Sequence, residues 1–378
     1  MSKESSSQLF NRAKPFLGVV FLQFGQAGMS IIAKFALNRG MNHYTFAVYR
    51  NTVAFVVFAP FAVFFERKAR PTMTLSIFLK ITLLSLLEPV IDQNLYYTGM
   101  KYTTATFSAA MCNIMPAITF LMAWTLRLER VNLRRFHSQA KVVGTFVTVG
   151  GAMIMTLIKG PIIGLPWTKE TSYVQSEDAA NEQNHIKGSL MITAGILCWG
   201  SFYILQAITL KSYPAALSLT SLICMMGAVE GAMLTLIVEK GNTAIWSIHW
   251  DTKLLSALYG GIISSGVSYY MSGVIMRQKG PVFVTSFNPL SMVIVAILGS
   301  LCLSEILNLG RVIGAVVIVT GLYLVIWGKS KDDQPSSNMT NEQVLPIEQS
   351  TPTKNGDIEI SNHEAVNVSK VIPKDEAV

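Results

Sequence analysis

Tyr96-Tyr97 followed by Pro116, and Tyr269-Tyr270 followed by Pro289 at the same spacing, mark one stretch of sequence written twice. Working outward, Gly18 and Gly188 open matching hydrophobic segments, and Gly144, Gly151 and Lys159 return as Gly314, Gly321 and Lys329. The offset is about 170 residues, slipping by about three in the middle. Each half holds about five apolar segments. Five is odd, so two copies threaded in series enter a bilayer with opposite orientation. Inverted repeats of this kind place a substrate site between the copies, near the membrane midplane.

Hydrophobic residues make up 51% of the chain and charged residues 14%, against about 25% charged in an ordinary soluble domain. The apolar residues fall in runs of about 20, enough to cross about 30 Å of hydrocarbon as helix. Spans are expected near 15–38, 45–65, 75–98, 103–125, 138–158, 188–210, 217–238, 254–275, 282–303 and 309–327. The runs do not alternate apolar with polar, which excludes a β-barrel pattern. The expectation is an all-α integral membrane protein of ten helices in two inverted five-helix repeats. Residues 1–14 are a cytosolic tail, 15–159 the first repeat, 160–187 a polar loop, 188–329 the second repeat, and 330–378 a disordered cytosolic tail.

The formal charge of +8 does not call for a nucleic-acid partner. Lys14, Arg67, Lys68, Arg70, Arg127, Arg130, Arg134, Arg135, Lys211, Arg277, Lys279 and Lys329 lie between spans on one side, the side that retains cations in the cytosol. Asn338 and Asn367 match glycosylation sequons but fall in the cytosolic tail, so both are expected to stay unused. Cys112, Cys198, Cys224 and Cys302 lie within spans as buried thiols, with no Cys/His cluster to hold a metal. The first apolar run is too long for a cleavable leader. There is no GxSxG, HExxH or Walker sequence, so neither an enzyme, a bound cofactor nor a nucleotide-driven pump is expected.

Candidate functional residues are the polar groups placed inside spans, because such groups are costly in hydrocarbon. Glu88 and Asp92 flank Pro89 in the third span, one helical turn apart on a common face. They either serve a proton, a cation or a substrate ammonium, or pair internally with Lys34 or Arg50. Asn94 and Tyr97 follow on the same helix. Asn113 and Pro116 in the fourth span match Asn288 and Pro289 in the ninth, a symmetric irregularity of the sort that marks transport sites. They line a path or merely bond helices together. Tyr203 and Gln206 in the sixth span, and Tyr269 in the eighth, are wall or packing residues, and Glu230 is a lone carboxyl in the seventh.

A family resemblance rests on these same residues. Leu22-Gln23-Phe24-Gly25, Tyr49-Arg50-Asn51, Ala59-Pro60-Phe61-Ala62, Glu88-Pro89, Asp92-Gln93-Asn94-Leu95-Tyr96-Tyr97, Pro116-Ala117-Ile118-Thr119-Phe120, Gly280-Pro281-Val282-Phe283 and Gly321-Leu322-Tyr323 resemble the plant nodulin-21-like proteins, also called Walls-Are-Thin-related or UMAMIT proteins. That family belongs to the drug/metabolite transporter superfamily, and the likeness covers residues 15–331. It implies two EamA-type repeats and bidirectional movement of amino acids or related organic acids across a plant plasma membrane or vacuolar membrane, the former favoured. Auxin or another organic anion is the rival cargo. A non-transporting scaffold or sensor that signals through its tail is the rival of another class. The partners implied are a small-molecule substrate and the bilayer.

The cation bias and an even span number place both termini in the cytosol. Epitope tags at either end of sealed, right-side-out vesicles are expected to be shielded from antibody. Labelling of either tag without permeabilisation overturns the topology.

Overall fold

The computed structural model describes residues 2–103, 108, 111–129, 136–158, 160–163, 182–240, 243–246, 252–303 and 307–332. The sequons at 338 and 367, the tail beyond 332, most of the linker, and the side chains of Lys34 and Cys302 lie outside the described residues. In chain order the helices are α1 (Ser2–Asn38), α2 (His43–Phe65), α3 (Leu75–Ser85), α4 (Gln93–Tyr102), α5 (Met115–Thr125) and α6 (Phe136–Leu157). In the second half come α7 (Glu182–Ser212), α8 (Ala216–Val238), α9 (Thr252–Tyr259), α10 (Ser268–Lys279), α11 (Pro281–Ser286), α12 (Asn288–Leu303) and α13 (Leu309–Asp332). A two-residue antiparallel ladder, β1 (Ile162–Ile163) on β2 (Leu307–Asn308), ties the end of α6 to the start of α13. It is a small exception in an otherwise helical chain.

Seven stretches are long and apolar enough to cross a membrane as single runs. The other three expected spans are interrupted. The third passes from α3 through a π-helical turn, Leu86–Asp92, into α4. The eighth does the same, from α9 through Gly260–Val267 into α10. In both, a backbone N–H reaches five residues back: Gln93 to Glu88 and Ser268 to Ile263. Pro89 accounts for the first turn, since proline lacks an N–H and its ring collides with the carbonyl four residues earlier in an α-helix. The fourth span, and the ninth although it is one of the seven apolar runs, break at equivalent points. Ile114 bonds back to Met111 and Ala117 to Ile114; Phe287 bonds back to Val284 and Leu290 to Phe287. Helices α5 and α12 restart there around Pro116 and Pro289.

Five-residue and three-residue offsets thus repeat in both halves, and the contacts between halves show their relative direction. The carboxylate of Glu66, at the end of α2, accepts from the N–H groups of Leu217 (3.0 Å) and Ser218 (2.7 Å) at the start of α8. It supplies from another helix what an N-cap side chain supplies locally. At the other end, Asn42, which caps the start of α2, donates to Glu239 beyond the end of α8 at 2.7 Å. Equivalent spans two and seven therefore run antiparallel, as inverted repeats require. Spans five and ten do likewise: Gly144 faces Gly321, Gly151 faces Gly314, and His137 faces Gly328. The exchange of neighbours is also mirrored, with α1 packed on α10 and α12, and α7 packed on α4 and α5.

Large apolar side chains such as Phe64, Phe146 and Val316 face outward, while Arg50, Asn51, Glu88 and Gln206 are buried. This inside-out distribution suits a protein whose solvent is lipid. Without a hydrophobic drive between helices, close backbone approach does the holding. At Gly321 an added Cβ would lie 2.5 Å from the Thr148 backbone nitrogen and 2.9 Å from the Gly144 oxygen. At Gly150 it would meet nothing within 4 Å. Gly321→Leu is expected to cost more than the ~1–3 kcal/mol of ordinary overpacking, whereas Gly150→Leu leaves stability nearly unchanged. Size-exclusion profiles after a heating series check this; equal losses in the two variants would refute the glycine seam.

Candidate functional site

Three spans, drawn from both halves, meet around Glu88. The Arg50 guanidinium of α2 lies 3.7 Å from Glu88 Oε1, with both side chains buried. Gln93 Nε2 donates to the same oxygen at 3.2 Å. The Tyr269 hydroxyl, carried by α10 of the second half, donates to Oε2. The pairing with Gln93 depends on the π turn. Five residues on an α-helix rotate about 140° away from their origin, whereas i→i+5 bonding brings Gln93 back over Glu88. The second π turn makes room for the cation: the Arg50 side chain runs over Gly260, where a Cβ would sit 3.0 Å from Cδ. Of the two expected cation partners, Arg50 pairs with Glu88, and the Lys34 side chain is outside the described residues.

Asp92 is different. It is as buried as Glu88, yet among the described residues it makes no hydrogen bond and no ion pair. Its Oδ1 lies over Gly195 of α7, 3.0 Å from where a Cβ would be. Around this pair several buried polar atoms have no partner among the described residues: Arg50 Nε, Asn51 Oδ1, Asn94 Oδ1, Gln206 Oε1 and Ser265 Oγ. Gln206 Nε2 is engaged, donating to the Tyr269 carbonyl at 3.0 Å. Buried polar groups in native proteins are almost always satisfied, and these open valences beside the charged pair single out this region as the candidate site.

The other expected residues divide between this centre and its surroundings. Tyr203 bonds Ser272 and lies against the same wall as Trp199. The Tyr97 ring lies tilted against His43, centroids 5.8 Å apart, and Asn94 Nδ2 is spent on the Val90 carbonyl at 2.6 Å. Asn113 donates to Thr156 at 3.4 Å. Asn288 accepts from Gln23 at 3.5 Å and reaches Met115 Sδ at 2.7 Å, so the breaks of spans four and nine face each other. No described hydrogen bond joins the two asparagines to Glu88 or Asp92. Glu230 Oε1 lies 3.0 Å from Ser85 Oγ.

Sequence reasoning overlooked Gln93, Gln23 and Asn51, although a polar residue within a span is itself a signal. It also took Lys329 as a topology charge and passed over Glu129. Lys141 and Lys329 both reach Glu129 Oε1, at 3.0 and 2.8 Å, in a buried cluster that fastens spans four, five and ten at one membrane edge. Cys224 is buried; Cys112 and Cys198 are partly so.

An inverted-repeat bundle with a charged, incompletely satisfied centre between its halves defines a membrane transporter. The EamA-like transporter family model matches residues 15–157 and again 186–327. Among curated relatives, WAT1-related protein At2g39510 of Arabidopsis thaliana is 60% identical over 340 residues, 90% of each chain. WAT1-related protein At2g37460 of the same plant is 52% identical over 98% of this chain and 97% of its own. A solved crystal structure only 12% identical covers 82% of this chain and 97% of its own at TM-score 0.64, a shared fold. The chain belongs to the WAT1-related branch of the EamA-like transporter family.

The Arg50–Glu88 pair predicts a stability phenotype. Removing one partner of a buried pair costs about 3–5 kcal/mol, chiefly from the charge left alone. Glu88→Gln is expected to lower folded yield severely, and Arg50→Met combined with Glu88→Gln to recover much of it. Folded yield of the single variant equal to wild type, measured by detergent-resistant monodisperse protein, would refute the pairing.

Proposed function

We propose that this chain is a secondary carrier or facilitator that moves amino acids, in either direction, across a plant cell membrane. The observation that carries the reading is the charge count at the centre. Arg50 is committed to Glu88, which leaves Asp92 as a buried carboxyl with no ion pair of its own among the described residues. A carboxyl at this depth can hold a charge only against a positive partner, and an amino acid brings one as its ammonium. The open Arg50 Nε offers a donor to the substrate carboxylate, and Asn51 and Gln206 offer acceptors. Tyr97, Tyr203 and Tyr269 supply walls for side chains of varied shape. An organic anion such as auxin would instead want net positive charge here. The symmetric breaks at Asn113–Pro116 and Asn288–Pro289 are the hinges through which the two halves, 15–159 and 188–329, rearrange around the site. Both termini face the cytosol, and the plasma membrane is the preferred address.

Proteoliposomes loaded with neutral amino acids and offered labelled glutamine test this against labelled indole-3-acetic acid. Counterflow of glutamine is expected, and Asp92→Asn should cut it at least about tenfold, equivalent to about 1.4 kcal/mol, with folded yield retained because shape is kept and only charge is lost. Uptake of the indole acid without amino-acid counterflow, or an Asp92→Asn protein that transports at the wild-type rate, overturns the reading.

A further inference from the structure

Glu230 stands apart from the Arg50–Glu88–Asp92 centre. It lies on α8 eight residues before Val238, about 12 Å into the helix at ~1.5 Å per residue. Gly227 of the preceding turn faces Pro89, and Glu230 itself meets the end of α3. There Ser85 Oγ lies 3.0 Å from Glu230 Oε1 and 2.8 Å from the Thr82 carbonyl oxygen. A serine hydroxyl carries one hydrogen. It cannot donate to both oxygens. If Ser85 donates along the shorter contact, to Thr82, the hydrogen between Ser85 and Glu230 must come from the carboxyl. A neutral Glu230 therefore satisfies the whole chain: its O–H donates to Ser85 Oγ, and Ser85 O–H donates to Thr82.

Two further observations agree. Glu230 Oε2 and Thr82 Oγ1 are buried without partners among the described residues. No described cation faces the carboxyl. The elements packed on α8 carry His43 and Arg50 on α2, Lys80 on α3, Glu88 and Asp92 on the first π turn, and Arg277 and Lys279 on α10. None of these forms an ion pair with Glu230, and Arg50 is committed to Glu88.

We propose that Glu230 is a proton-binding site, separate from the substrate centre, that is neutral at rest and whose proton is sensed by Ser85. On release the carboxyl O–H bond breaks, its electron pair stays on the oxygen, and the proton passes to water. The Ser85 hydroxyl then turns from Thr82 to the carboxylate. The Thr82 carbonyl is not stranded, because the Leu86 N–H still reaches it. Ser85 is the residue that leads directly into the π turn bearing Glu88 and Asp92. Its reorientation is thus a one-turn link between a proton and the centre, and that coupling, unlike the titration, rests on the transport reading above.

Infrared spectra of the full chain reconstituted in lipid test the site without any substrate. The carbonyl stretch of a protonated carboxylic acid is expected in wild type and absent from Glu230→Gln, so that it stands out in the difference between the two, and its intensity is expected to fall as pH rises. Ser85→Ala, which keeps the carboxyl, should move that band to higher frequency as its acceptor is lost. Spectra identical in wild type and Glu230→Gln at every pH overturn the proposal; so does a Ser85→Ala band unmoved from wild type, should Glu230→Gln fail to fold. In transport, Glu230→Gln mimics the neutral form and should keep exchange while losing acceleration by a proton gradient. A titrating Glu230 band in a protein that moves no amino acid sinks the transport reading alone. Amino-acid transport with no such band sinks this proposal alone.

Discussion

A carboxylate cannot stay charged in hydrocarbon unless something nearby holds the charge, and at Glu88 the holders come from both halves of the chain. Arg50 and Gln93 belong to the first repeat and Tyr269 to the second. Each is useful only if the repeats are docked in one register. The desolvation cost of bringing Arg50 and Glu88 out of water is severalfold larger than a typical hydrogen bond, so the interface is pinned by what would happen if it slipped. The same constraint explains why the polar residues of the core cluster rather than scatter. Each charge admitted to the interior obliges a partner, and the partners must converge.

That convergence needs irregular helices, and the fold supplies them in symmetric pairs. In the third span the π turn rotates Gln93 onto Glu88 and relieves the Pro89 ring. In the eighth the matching turn carries small residues, and Gly260 and Gly261 let α2 approach until the Arg50 side chain and backbone lie against them. The two copies have thus diverged in opposite directions from one shape: one turn carries charge, the other carries space. The breaks in spans four and nine keep their shared hydrogen-bond pattern but engage different neighbours, Thr156 for Asn113 and Gln23 for Asn288. Around this pliable centre the antiparallel pair α6–α13 is the stiff part. Its glycines place backbone on backbone, the ladder at Ile162–Ile163 closes one end, and the Glu129–Lys141–Lys329 cluster closes the other.

The fold was legible in the chain itself. Apolar runs of span length, an odd number per copy, and the paired tyrosine–proline spacing determine ten helices in two inverted repeats, because bilayer thickness and the need to satisfy every backbone group leave few alternatives. The identity of the polar residues within spans was equally legible, since Arg50, Glu88, Asp92 and Glu230 are costly wherever hydrocarbon surrounds them. What the chain alone left open was which of them pair. Glu88 and Asp92 look equivalent at one turn's separation. Only the packed helices decide that Arg50 and Tyr269 engage the first, that Gly195 covers the second, and that Gln93, out of reach on an α-helix, is brought in by a π turn. Likewise Lys329 reads as a loop charge until α13 is laid along α6 and its ammonium meets Glu129. Partner choice between buried charges depends on ångström distances between residues some 40 to 200 positions apart, as from Arg50 to Glu88 or from Glu129 to Lys329; hydropathy and periodicity are local, and carry no such information.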